Sequence, residues 1–193
     1  MKIGGIQKNS FVDYPGKIAA VIFTVGCNMN CFFCHNKRLL RVFPPEEMLS
    51  EEEVLAFLAK RTDMLDGVVI SGGEPLLQKD IGEFIQKVKA LGYPVKLDTN
   101  GSWPERLAQV IDLVDFVAMD IKAPFERYPE FSGLPDVTGK VRESMRIIVE
   151  SGKDYQFRTT MAPGLTEADA EIIRGYCPDP SKYITQKYRK PED

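Results

Sequence analysis

Six apolar runs of strand length recur along the 193-residue chain, and a helical pattern separates each from the next. The runs fall at 18–25 (IAAVIFTV), 67–71 (GVVIS), 95–99 (VKLDT), 115–121 (DFVAMDI), 154–160 (DYQFRTT) and 182–186 (KYITQ). They are mostly continuous rather than alternating, as expected of strands buried on both faces. Strand–helix alternation of this kind specifies an α/β fold built on a parallel sheet. Six strands are too few to close an eight-stranded barrel. A curved, open (β/α)6 sheet and a doubly wound one both fit, and in either the ligands bind at the carboxyl ends of the strands.

The helical patterns carry start and stop signals. Ser50 and Glu53 form a capping box ahead of Val54, Leu55, Phe57 and Leu58. Asp80 precedes Ile81, Phe84, Ile85 and Val88, and Gly92 ends that helix. Ser102-Trp103-Pro104-Glu105 reads as a second capping box with proline in the first turn. Val141, Met145, Ile148 and Val149 make one stripe ending at Ser151-Gly152, and Thr166 caps a short helix carrying Ile172 and Ile173. Asp136 reads as another turn or cap residue. With no linker or low-complexity tract, residues 1–193 read as a single domain.

The polar residues of chemical interest sort to one end of this sheet. "CNMNCFFCHN", residues 27–36, follows the first strand. "SGGEP" (Ser71 to Pro75) follows the second, "DTNG" (Asp98 to Gly101) the third and "MDIK" (Met119 to Lys122) the fourth. Arg158 lies late in the fifth strand, with "APG" (Ala162 to Gly164) beyond it, and Gln186 lies near the end of the sixth. An inward arginine at a strand end is costly unless paired, so Arg158 reads as functional.

Three cysteines in eight residues suit a soft metal or an iron–sulfur centre. A structural zinc site needs a closed set of four ligands. His35 is adjacent to Cys34 and reads as a loop-ordering residue, while Cys177 in "GYCPDP" reads as a buried free thiol. Cys27, Cys31 and Cys34 alone then suggest a 4Fe–4S cluster with one iron left open. The net charge of −3 gives no nucleic-acid surface, and no apolar run reaches the roughly 20 residues of a membrane span. "MKIGGIQKNS" does not read as a signal peptide, which together with the clustered cysteines places the protein in the cytoplasm.

With these motifs in order, the chain resembles the radical S-adenosylmethionine (SAM) family. The CxxxCxxC loop after the first strand, with Phe33 before the third cysteine, and GGEP after the second strand carry the likeness. The resemblance implies a partial TIM barrel, (β/α)6, with a mostly parallel curved sheet. It implies that the open iron binds the amino and carboxylate groups of SAM, and that reductive cleavage yields methionine and a 5′-deoxyadenosyl radical. "CHN", "DTNG", "MDIK" and "R…PG" together look like the glycyl-radical-enzyme activating proteins, most of all the anaerobic ribonucleoside-triphosphate reductase activating proteins, over about residues 3 to 188.

Roles follow from that likeness residue by residue. Cys27, Cys31 and Cys34 would hold the cluster, Phe33 would pack near the adenine, and Asn36 would join the cofactor site. Gly72 and Gly73 would let backbone approach the methionine amino group, with Glu74 fixing that end or the loop. Asp98, Thr99 and Asp120 resemble a site for a monovalent cation and the cofactor carboxylate, and hard oxygen ligands suit a hard cation. Lys122 and Arg158 would neutralise the carboxylate or ribose region. The implied partners are a glycyl radical enzyme, with anaerobic ribonucleotide reductase first, and flavodoxin or ferredoxin as reductant.

The sequence departs from that pattern in one place. Many such activators carry a D-G-P-G-x-R-like stretch near the N-terminus; here Asp13-Tyr14-Pro15-Gly16-Lys17-Ile18 stands there, which also reads simply as a turn before the first strand. The chain stops soon after the sixth strand, so a single cluster is expected. Two other readings compete. One is a radical SAM enzyme acting on a small molecule, such as a deazapurine-forming synthase. The other is a non-catalytic metal-binding or electron-transfer module, which accounts for the cysteines but not for GGEP, the strand-end acids or Arg158.

Overall fold

A computed structural model describes residues 1–40 and 44–190. Its centre is a seven-stranded sheet in simple sequence order. All six expected strands are present: β2 (Lys17–Thr24), β3 (Gly67–Gly72), β4 (Val95–Thr99), β5 (Phe116–Asp120), β6 (Asp154–Met161) and β7 (Tyr183–Lys187). They pair in parallel from β2 through β7. The sheet curls into a half-barrel with helices outside, so the expected open (β/α)6 architecture holds.

The seventh strand is a correction to the sequence reading. β1 (Ile3–Tyr14) pairs antiparallel with β2 through a hairpin whose two-residue turn is Pro15-Gly16, with Gly16 at φ +71°. The turn expected at 13–18 is therefore real, but it joins two strands rather than introducing the first. The register of β1 slips three times, between Ile3 and Gly5, Gln7 and Ser10, and Ser10 and Tyr14. Each slip resets the period of two, so no run of alternating residues is left to read.

The sheet is apolar on both faces. Ala20 and Ile22 of β2 join the large outer core with Val68 and Ile70 of β3 and the helices. Val21 turns inward with Val69 and Tyr14. That two-sided burial is why β2 and β3 read as unbroken apolar runs.

Five of the outer helices are α1 (Glu51–Ala59), α2 (Ile81–Ala90), α3 (Pro104–Val110), α5 (Thr138–Glu150) and α6 (Glu167–Arg174); α4 (Tyr128–Ser132) is a single turn between β5 and α5. The capping boxes at Ser50/Glu53 and Thr166/Asp169 are both formed. Each contributes about 1 kcal/mol to its helix end. The expected box at Ser102 does not form: Trp103 occupies the N-cap of α3 without a side-chain cap. Ser102 instead hydrogen-bonds Asn100 (2.6 Å) and Asn28 (2.8 Å) below the cysteine loop. Asp80 sits at the N-cap of α2 but bonds the Met1 ammonium group, not the helix. Nor does Asp136 cap α5, whose N-cap is Val137 with no side-chain bond.

Candidate active site

The carboxyl ends of the parallel strands open into a cavity of about 840 Å³. Cys27, Cys31, Phe33, Cys34 and Asn36 line it from the loop after β2. Gly72 and Gly73 reach it from the end of β3, Asp98 and Thr99 from β4, Asp120 and Lys122 from β5, and Arg158 from β6. Gln186 of β7 and His35 line it as well. Of the residues expected at the site, Glu74 alone is absent from its wall.

The cysteine loop is pinned from three sides. Gly26, at φ +92°, donates its N–H to the Leu39 carbonyl (2.8 Å), and Asn30 donates to the Ser132 carbonyl at the end of α4 (3.0 Å). Phe33 is buried, and Phe32 and Phe33 pack on Phe131 of α4 with ring centroids 5.5 and 6.1 Å away. The Cys34 N–H closes a turn on the Cys31 carbonyl (3.0 Å). Burial pushes the Cys27 thiol up to about 11 and raises that of Cys31, with the nearby Lys122 ammonium opposing both shifts. Replacing those protons by a cationic centre relieves a burial cost that a bare thiolate would carry.

The GGE segment is backbone carpentry. A Cβ on Gly72 would lie 2.3 Å from the Thr24 nitrogen, and Gly72 has φ +119°. The Gly73 N–H donates to the Thr24 carbonyl (3.0 Å) and the Glu74 N–H to the Gly26 carbonyl (2.8 Å), so β3 is locked to the base of the cysteine loop. The wholly buried Glu74 carboxylate then accepts from the Leu76 N–H (3.0 Å), the Thr99 hydroxyl (2.8 Å) and the Asn100 N–H (2.7 Å). Burial outweighs those donors and raises its pKa to about 7. Glu74 and Thr99 thus tie the ends of β3 and β4 together.

The charged residues form one alternating row. Lys96 pairs with Asp98. Arg158 lies between the two acids, with Nη1 3.3 Å from Asp98 and Nε 2.9 Å from Asp120. Lys122 holds the other oxygen of Asp120 at 2.9 Å. Burial alone would raise the Asp120 pKa, but Arg158 and Lys122 outweigh it and hold the carboxyl well below the usual range. Asp120 in turn overcomes the effect of burial on Lys122 and Arg158 and keeps both protonated. The inward arginine is paired, as its position demands.

Sequence reasoning missed Lys96, Asn100 and Phe131. Asn100 stands inside the quoted "DTNG"; its amide lies 3.7 Å from the Cys27 sulfur and 3.2 Å from Asn28. Phe131 had no signal, because nothing local says that α4 packs on a loop a hundred residues earlier.

The donor set fits an iron–sulfur cluster. All four cysteines are free, and the sulfur of Cys177 is buried against the Ile173 carbonyl (3.6 Å), away from the cavity. Among the described residues, no three His, Cys, Asp or Glu side chains stand close enough to share one metal ion. Three thiols spread along one wall suit a group whose separate irons each take a single thiolate.

A half-barrel sheet with three cysteines at the mouth of its first parallel strand defines a radical SAM enzyme. Residues 21–175 match the Radical SAM superfamily, and the chain belongs to it. Over 99% of its length it is 36% identical to a protein of Methanocaldococcus jannaschii named "Putative glycyl-radical enzyme activating enzyme", covering 81% of that protein. It is 28% identical to the pyruvate formate-lyase-activating enzyme of Clostridium pasteurianum, over 89% of this chain and 73% of that one. Against 7-carboxy-7-deazaguanine synthase of Methanopyrus kandleri it is 26% identical, over 83% and 73% of the two chains. Among solved structures, Streptococcus suis SuiB bound to S-adenosylmethionine superposes with a TM-score of 0.70 at 18% identity, covering 88% of this chain. This chain spans only 40% of SuiB, and that likeness concerns the fold.

Proposed function

We propose that this radical SAM enzyme is a glycyl-radical-enzyme activase, and that its partner is anaerobic ribonucleoside-triphosphate reductase. The observation that carries the activase reading is the 36% identity, over 99% of the chain, to a protein named as such an activating enzyme. The sheet supports it too: β1 and β7 are its two ends and are not paired, which leaves a side through which a peptide segment can reach the cavity. When bound, a 4Fe–4S cluster with SAM supplies one-electron cleavage of the cofactor and an adenosyl radical able to take a hydrogen atom from glycine.

The chain's own residues bind and orient. Cys27, Cys31 and Cys34 hold the cluster. Gly72 and Gly73 keep the end of β3 against the cysteine loop, where a side chain would force the two apart. Phe33 and Asn36 form the wall for the nucleoside. Lys122 and Arg158 meet the carboxylate end of SAM, held in place by Asp120 and Asp98. A monovalent cation at those acids would compete with Arg158, which already bonds both. We therefore assign the acid pair to positioning the two cationic side chains. Glu74 and Thr99 brace the loop from behind. Residues 1–193 act as a single domain in the cytoplasm, reduced by flavodoxin or ferredoxin; among the described residues no helix is long and apolar enough to cross a membrane.

The test is anoxic. Enzyme loaded with iron and sulfide, reduced with dithionite and given SAM, is mixed with anaerobic ribonucleotide reductase, and electron paramagnetic resonance should show a glycine-centred doublet. A second reading, action on a small molecule, is favoured by the likeness to the deazaguanine synthase. It wins if 5′-deoxyadenosine forms with a deazapurine precursor and no partner gains a radical.

A further inference from the structure

Lys96 lies on β4 two residues before Asp98 and faces the inside of the half-barrel, 1% exposed. No motif in the sequence points to it. Its ammonium group pairs with Oδ1 of Asp98 and lies 6.0 Å from the centre of the Phe116 ring. The other oxygen of Asp98 accepts from the Ser71 hydroxyl and from Arg158 Nη1, both at 3.3 Å. From there the row runs through Arg158 and Asp120 to Lys122. Lys96 and Lys122 are its two ends: the Lys96 side chain is 2% exposed and that of Lys122, at the cavity, 16%.

We infer that Lys96 is a positioning residue: by holding one oxygen of Asp98 it keeps Arg158 on Asp120, so that Asp120 divides its charge between Arg158 and Lys122 and leaves Lys122 at the cavity to meet the carboxylate end of SAM. The inference rests on the reading above, in which Lys122 and Arg158 receive that end. Its physical basis is the cost of a buried charge without partners. With Lys96 gone, Asp98 keeps two contacts, both long, and its unmet charge draws the guanidinium toward it. Asp120 then loses its 2.9 Å bond from Arg158 and takes Lys122 more fully, so both cationic side chains turn away from the cofactor. A merely structural lysine, filling the floor beside Phe116, would move neither.

A double-mutant cycle separates the two roles. Lys96→Met keeps most of the stem and removes the charge. Adding Asp98→Asn removes the acid that would capture Arg158. The readout is SAM binding to the cluster-loaded enzyme, oxidised so that no turnover occurs, followed calorimetrically alongside iron content. Lys96→Met should raise the Kd at least tenfold with iron content unchanged, and should raise KM for SAM far more than it lowers kcat for 5′-deoxyadenosine formation. Asp98→Asn weakens binding in its own right, and Lys96→Met added to it should change the Kd less than threefold further, because Lys96 acts only through that acid. An unchanged Kd in Lys96→Met, or a further loss of threefold or more when it is added to Asp98→Asn, overturns the inference. If Lys96→Met alone does not fold, the comparison of Asp98→Asn with the double variant carries the test. Lys122→Met checks the underlying reading independently: binding as tight as wild type would remove that reading and this inference with it.

Discussion

A Cβ on Gly73 would lie 2.0 Å from the carbonyl oxygen of Gly26. No side-chain rearrangement relieves that contact, because the atom it meets is backbone. Gly73→Ala must therefore push the end of β3 away from the cysteine loop and weaken the bonds that join them. Overpacking of this kind costs about 1–3 kcal/mol, or roughly 3–10 °C in Tm for a chain of this size. Anoxic melting curves should show that drop, and reconstituted enzyme should retain less iron than wild type.

Cys31→Ala should abolish cluster retention and SAM cleavage, whereas Cys177→Ala should leave both intact. Cys31 lines the cavity, and Cys177, outside its wall, is buried against the Ile173 carbonyl. The Cys177 change removes one buried sulfur and costs about 1 kcal/mol of stability. Iron and sulfide assays on the two variants decide it; equal loss in both would refute the ligand assignment.

Glu74 makes the cluster-free protein sensitive to pH. Its carboxyl is raised from an ordinary 4.5 to about 7, chiefly by burial. Below pH 4.5 folded and unfolded chains both carry the proton, and the group has no effect. Between 4.5 and 7 the folded chain holds a proton that the unfolded chain has released, so stability falls as pH rises. Above 7 the full penalty stands, about 3 kcal/mol. Urea midpoints should decline across that window, and Glu74→Gln should flatten the decline.

Phe131→Ala should loosen the cysteine loop from behind, since Phe131 itself stands outside the cavity wall. The ring is 1% exposed and packs on both Phe32 and Phe33, with the Arg127 guanidinium 5.0 Å from its centre. Truncating a buried phenylalanine costs about 3–5 kcal/mol. Faster loss of iron on dilution and quicker proteolysis within residues 27–36 would report the effect; unchanged iron retention would mean the loop stands without α4.

How much of this was written in the sequence depends on distance along the chain. Six strands were legible because two-sided burial leaves unbroken apolar runs. The helix starts at Ser50 and Thr166 were legible because a capping box is closed within four residues. Ser102 misled for the same reason: its spacing to Glu105 is right, but Asn100 and Asn28 claim its hydroxyl. The expected wall residues were legible because each stands at or just beyond a strand end; Gln7 and Val12 of β1, and Lys187, Tyr188 and Arg189 at the end of the chain's last strand, line the cavity as well and were not. What those residues do to one another was not. Arg158 and Asp98 are sixty positions apart, Glu74 and Asn100 twenty-six, and no local pattern encodes their meeting.

β1 is the strand that local pattern hid most completely, and it is also an outer edge of the sheet. An edge with regular spacing is a template on which a neighbouring molecule can continue the hydrogen-bond ladder. The three slips in β1 spoil that template, because a visiting strand in register at Ile6 would be out of register by Ser10. The irregularity that conceals this strand from a reader of the sequence thus also guards the molecule against growing into a fibre along that side.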